Sequence, residues 1–260
     1  MLSFENLISD IAKTREDPKE YLLGFFTKEN FKKYSLDNNP DKDEIKAIKI
    51  MFESKKDLLD RVNAALKYDP FCLEAFFVYF VLSEDIYVNY RFEAFYKEMN
   101  EFADLDDHQK YNYLRIMDFY VEFLMDVHNF TRAIKVQKML IRLRNDLNNK
   151  DMHRLVYLYY EIEDAEELYR FYANNEFDDY AYLLLIVTLL KNDETLKAKE
   201  VLLEMFEKIE YASYLDHLWD LDLNDPKQKQ FYSTVEKSYV ELSSIPDFFS
   251  WVNMIKENNK

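Results

Sequence analysis

The chain has 260 residues with 50 acidic against 34 basic side chains, a formal net charge of -16, and one glycine, Gly24. The charge argues against nucleic-acid and acidic-membrane partners, since phosphate neutralisation supplies most of such affinity. The glycine count excludes phosphate-cradling loops and disfavours sheets, whose tight turns draw on residues with positive φ.

In chain order, the first amphipathic stripe is Phe4, Leu7, Ile8 and Ile11, at the offsets of one helix face. A longer stripe follows at Ile45, Ile48, Met51, Phe52, Leu58, Leu59 and Val62. Next come Leu114, Met117, Tyr120, Val121 and Leu124, then Ile134, Met139, Ile141 and Leu143. Leu155, Leu158 and Tyr159 continue the series, and Val201, Leu202, Met205, Phe206 and Ile209 extend it.

Breaks between stripes carry capping chemistry: Asp69-Pro70, Asp225-Pro226, Pro246-Asp247, Asn148-Asn149 and Asn192-Asp193. The pattern predicts an all-α chain of about a dozen helices joined by short links. The polar stretch Leu36 to Glu44 is the most plausible internal boundary. The run Ala181–Leu190 is about half the ~20 apolar residues that a membrane span needs. The N-terminal MLSFENLISDIAKTRED lacks a basic segment followed by an apolar one, so no signal peptide is expected, and the cytoplasm is the default location.

Three helical segments share a small-residue register: FTRAIKVQKML at Ala133, EDAEELYRFY at Ala165 and TLKAKEVLLEMF at Ala198. The alanines lie 32 and 33 residues apart, and each segment follows an aromatic-rich helix of its own. This pattern resembles tetratricopeptide repeats, in which small residues let paired helices approach closely. VNAALKYDPFCLEAFFVYF, with Ala65 and Pro70, resembles the junction between two such repeats. Tyr79, Val121 and Ile186 stand where the family usually has a small residue. The resemblance implies an antiparallel helix-hairpin array, a right-handed α-solenoid, over residues 58–210, with helical caps at 1–57 and 211–260. It also implies a concave groove lined by the first helix of each hairpin. Setting the alanines equivalent places Arg115, Asp118 and Glu122, then Lys150, Arg154 and Tyr157, then Tyr180, Leu183 and Val187 in that groove. The candidate binding residues are thus Arg115, Glu122, Lys150, Arg154, Tyr157 and Tyr180.

The spacing of Arg132, Lys135, Lys138 and Arg142 sets four bases along one helix face, and the following segment is acidic from Glu161 to Asp179. Three readings stand: opposite charges of neighbouring hairpins side by side, simply solvated helix faces, or a patch for an acidic partner.

Sites for chemistry are sparse. His108, His128, His153 and His217 show no ligand spacing, and Cys72 sits alone in an apolar run. Asp151 with His153, and Asp216 with His217, read as solvated helix-end residues. No enzyme motif, cofactor or metal is expected. The leading expectation is a non-catalytic module binding a protein or peptide. The alternatives are a self-assembling structural protein, with a homodimer its simplest form, and the helical-repeat part of a peptide-responsive regulator.

Overall fold

A computed structural model describes residues 2–13, 17–36, 42–53, 57–97 and 102–259. Residues 37–41 of the expected boundary segment lie outside these. The chain is all-α: sixteen α-helices and no named strand occur among the described residues, beside one isolated bridge between Leu2 and Tyr34. No helix among them is long and apolar enough to cross a membrane. The chain divides into two compact units, Met1–Val127 and His128–Lys260.

The first unit holds α1 (Phe4–Lys13), α2 (Pro18–Phe25), α3 (Lys28–Phe31), α4 (Lys42–Met51), α5 (Leu58–Tyr68), α6 (Leu73–Leu82), α7 (Asp85–Lys97) and α8 (Asp107–Asp126). Neighbours in sequence pack as pairs, α4 on α5 and α5 on α6, while α6 also meets α2, α4 and α8. The single stripe read from Ile45 to Val62 is two helices, α4 and α5. Arg61 closes the gap between them from inside: its Nη1 donates to the carbonyls of Met51 at 2.7 Å and Phe26 at 3.0 Å. Those oxygens end helices and would otherwise lack donors. Burial pulls this guanidinium below its ordinary pKa.

Aromatic rings fill the interior. Phe92 stacks on Tyr120 at 4.8 Å between centroids, and Phe95 stacks on Tyr113 at 5.1 Å, joining α7 to α8. The start of α8 is held by a reciprocal cap: Gln109 N donates to Asp106 Oδ1 at 2.8 Å, and Asp106 N to Gln109 Oε1 at 3.2 Å.

The second unit holds α9 (Phe130–Arg144), α10 (Asn149–Glu161), α11 (Ala165–Tyr172), α12 (Asp179–Lys191), α13 (Thr195–Lys208), α14 (Pro226–Lys237), α15 (Tyr239–Ser243) and α16 (Phe248–Glu257). Two short 3₁₀ turns, Ala212–Tyr214 and Leu218–Asp220, precede α14. The central helix is α12. Ala181 through Leu189 are all buried, because α10, α11, α13, α14 and α15 surround it. The apolar run of that segment is therefore a core helix.

With glycine absent from the links, other residues adopt the left-handed conformation: His128, Asn145, Glu163, Asp193 and Asp247, with φ between 52° and 59°. Two links are near copies. Between α10 and α11, Asp164 N donates to Tyr159 O at 3.0 Å around Glu163; between α12 and α13, Glu194 N donates to Leu189 O at 2.9 Å around Asp193. The alanines that follow such turns, Ala133, Ala165 and Ala198, are all buried.

Of the expected caps, two stand at helix starts, whereas Asp69 and Asn192 end α5 and α12. Asp225 accepts from the N–H groups of Lys227 and Gln228, and Asn148 accepts from Asp151 N at 2.9 Å. Asp247 differs: it makes no side-chain cap bond and serves as a left-handed turn residue.

Candidate functional site

The candidate groove residues fall in both units. In the first, Arg115 pairs with Glu5 of α1 at 3.0 Å, and Glu122 lies exposed on α8. In the second, Lys150 is exposed on α10, whereas Arg154 is buried and its Nη1 donates to Gln137 Oε1 of α9 at 3.1 Å. Tyr157 and Tyr180 are half-buried. Desolvation is the first cause raising both phenols, and Tyr157 and Tyr180 each feel the Glu161 and Glu241 carboxylates. The structure thus brings Tyr157 and Tyr180 under one set of charges and draws Arg154 into the interior.

Leu183 and Val187, expected to look into the groove, are fully buried. The C-terminal helices α14 and α15 pack against α12.

The basic run on α9 behaves unevenly. Lys135 and Arg142 are exposed and Arg132 is half-buried. Lys138 reaches α11, its Nζ 3.3 Å from Glu167 and 5.3 Å from the centre of the Tyr159 ring. Hydrogen bonding to Tyr159 heads the causes that raise its pKa. At Lys138 and Glu167 opposite charges of α9 and α11 therefore meet, while Lys135 and Arg142 stay exposed.

Asp151 is not a solvated helix-end residue, and His153 is only part-exposed. Asp151 is 1% exposed and accepts from Gln137 Nε2 at 2.7 Å, Arg144 Nη1 at 3.0 Å and Asn148 Nδ2 at 2.8 Å. A buried carboxylate persists only with such partners. His153 Nε2 lies 2.5 Å from Asp178 Oδ2, tying α10 to the N-cap of α12. In the first unit, His108 contacts the buried carboxylate of Glu44, which also accepts from Asn112 Nδ2 at 2.9 Å. Among the described residues no group of three or more His, Cys, Asp or Glu side chains is placed to hold a metal ion. Cys72 is fully buried, and burial, then Glu74, push its thiol well above the ordinary range, so it is held protonated.

The most accessible aromatic surface of the second unit lies where no helical stripe directs attention. Leu218, Trp219, Tyr232, Val235, Glu236 and Tyr239 line a cleft of about 530 Å³. Trp219 is 80% exposed and Tyr239 58% exposed. Position comes from the surrounding elements. Lys256 of α16 donates to Ser213 O at 2.7 Å and Asp216 Oδ1 at 3.0 Å, stapling the turn that carries Trp219. Asp216 also contacts His217 Nδ1 at 2.7 Å, and the His217 ring lies 6.4 Å from Trp219. Burial pushes Asp216 up, but Lys256 and His217 outweigh it and leave the carboxyl below its usual value. The opposite wall is α14, begun by Pro226 behind the Asp225 cap, and its Val235 closes the floor. The sequence signal was the placement of Trp219, one of only two tryptophans, inside the acidic, non-periodic stretch Asp216 to Asp225.

The chain matches no protein-family model, no curated protein and no solved structure.

Proposed function

We infer that this chain is a non-catalytic binding module that captures a peptide or protein segment in the aromatic cleft of its second unit. The observation that carries the reading is the cleft formed by Trp219, Tyr232 and Tyr239, with Trp219 four-fifths exposed. Tryptophan and tyrosine are the side chains that most often anchor an interface, because each offers a large rigid surface and a polar tip. A chain that leaves Trp219 in water on a stapled turn, with Tyr239 exposed across the cleft, presents a pocketed surface rather than a scattered apolar residue.

Charge selects the partner. Glu236 lines the cleft, Asp220 flanks Trp219, and the chain carries -16 overall. A segment with one apolar anchor and adjoining Lys or Arg residues complements this surface, the bases aiding encounter and the anchor supplying affinity.

The hairpins behind the cleft fit a tetratricopeptide-like scaffold, a reading supported by the buried alanines and the two equivalent turns. The same reading keeps the chain in the cytoplasm. The test is selection from a random peptide library on the purified chain, with Trp219→Ala as counter-selection. Peptides with an apolar anchor beside basic residues are expected, binding Trp219→Ala about tenfold or more weakly. Peptides that bind both chains equally would overturn the assignment. A dimer that dissociates on Trp219→Ala would transfer the cleft to self-association.

A further inference from the structure

The first unit carries a second cleft of different chemistry. Lys28, Phe31, Lys32, Lys49, Phe52 and Glu53 line a cavity of about 410 Å³. Its three lysines are exposed, and among the described residues none of them is in an ion pair. That arrangement runs against the chain's net charge of -16, where an exposed base has acids in excess to meet. The floor is aromatic and rigid. Phe52 is buried, its ring centre 5.3 Å from Phe31, 5.4 Å from Tyr34 and 4.9 Å from Phe26. Helix ends hold the lysines in place: Lys28 opens α3, Lys32 follows it, and Lys49 lies in the last turn of α4.

We propose that this cleft binds a small polyanion built on an aromatic ring, of the nucleoside polyphosphate class. Three ammonium groups around one cavity favour several negative charges on a single ligand. Phe31, part-exposed above the buried Phe52, favours a flat ring packed against it. Glu53, the one carboxylate in the lining among the described residues, repels phosphate at its own end and accepts a hydrogen bond from an amino or hydroxyl group. A molecule with phosphates at one end and such donors at the other satisfies both. The cavity lies in the size range of small-molecule sites. This site is independent of the aromatic cleft of the second unit.

The experiment is calorimetric titration of the full chain with ATP in the absence of magnesium, beside tripolyphosphate and adenosine as separate probes. ATP is expected to bind more tightly than either probe, and to weaken as salt rises. Lys28→Glu, Lys32→Glu and Lys49→Glu are each expected to weaken ATP by about tenfold while leaving the melting temperature unchanged, since the side chains are exposed. Phe31→Leu is expected to weaken ATP and leave tripolyphosphate unaffected. No heat with ATP up to about 1 mM, equal affinity for tripolyphosphate, or lysine variants that bind as the parent does would each overturn the proposal.

Discussion

Arg144 of α9 straddles the carboxylate of Asp151 on α10, its Nη1 lying 3.0 Å from Oδ1 and 3.1 Å from Oδ2. The Asp151 side chain is 1% exposed, and Gln137 and Asn148 complete its coordination by donors. Replacing Asp151 by Ala removes the acceptor that Gln137, Arg144 and Asn148 share. The variant is expected to lose about 3 kcal/mol of stability, measured by urea unfolding. A loss below ~0.5 kcal/mol, the scale of a surface substitution, would show that the network contributes nothing.

Lys150 and Arg154 separate in the same experiment. Arg154→Glu sets a carboxylate against the Gln137 side-chain oxygen in a buried site, and is expected to cost about 2–4 kcal/mol. Lys150→Glu is at an exposed position and is expected to stay within ~0.5 kcal/mol of the parent. Equal melting temperatures for the two variants would contradict the placement of Arg154.

Glu163 holds φ at 54° in the link between α10 and α11, a conformation that costs a side-chain-bearing residue about 1–2 kcal/mol. Glycine relieves that cost but adds freedom to the unfolded chain, and the ion pair to Lys191 at 3.6 Å is lost. Glu163→Gly is expected to raise stability by about 0.5 kcal/mol. A thermal unfolding midpoint below that of the parent would refute this balance.

The pair His153–Asp178 sets a pH dependence. The hydrogen bond to Asp178 is the first cause raising His153, with Asp178 and Asp179 adding their charges. A histidine raised above its unfolded value of about 6.5 contributes stability that is full below that pH and is lost as pH rises through the folded pKa. For Asp178 burial pushes upward, yet His153 and the Ala181 N–H outweigh it and leave the carboxyl low. Nuclear magnetic resonance titration of His153 is expected to give a raised pKa that falls in Asp178→Asn. A His153 pKa that is the same in both chains would rule out the pair.

The helices were legible because apolar spacing records which face a helix buries, and the stripes at Phe4, Leu114, Ile134 and Val201 all fall on helices. Short elements escaped: α3 and α15 have too few residues to show a period. The register of α12 assigns Leu183 and Val187 to one face but does not reveal that five helices bury every face of it. Arg154 misled because spacing from Lys150 assigns a face, not a depth; the signal was Gln137, a polar residue at a core position of α9. Trp219 escaped because it sits on a 3₁₀ turn, where no periodicity marks exposure.

The most direct test of the binding reading follows the emission of Trp219 in a Trp251→Phe chain while a selected peptide is added. The cleft predicts a blue shift that saturates with the calorimetric binding curve, as the indole leaves water. Heat of binding with unchanged Trp219 emission would place the partner elsewhere and contradict the account.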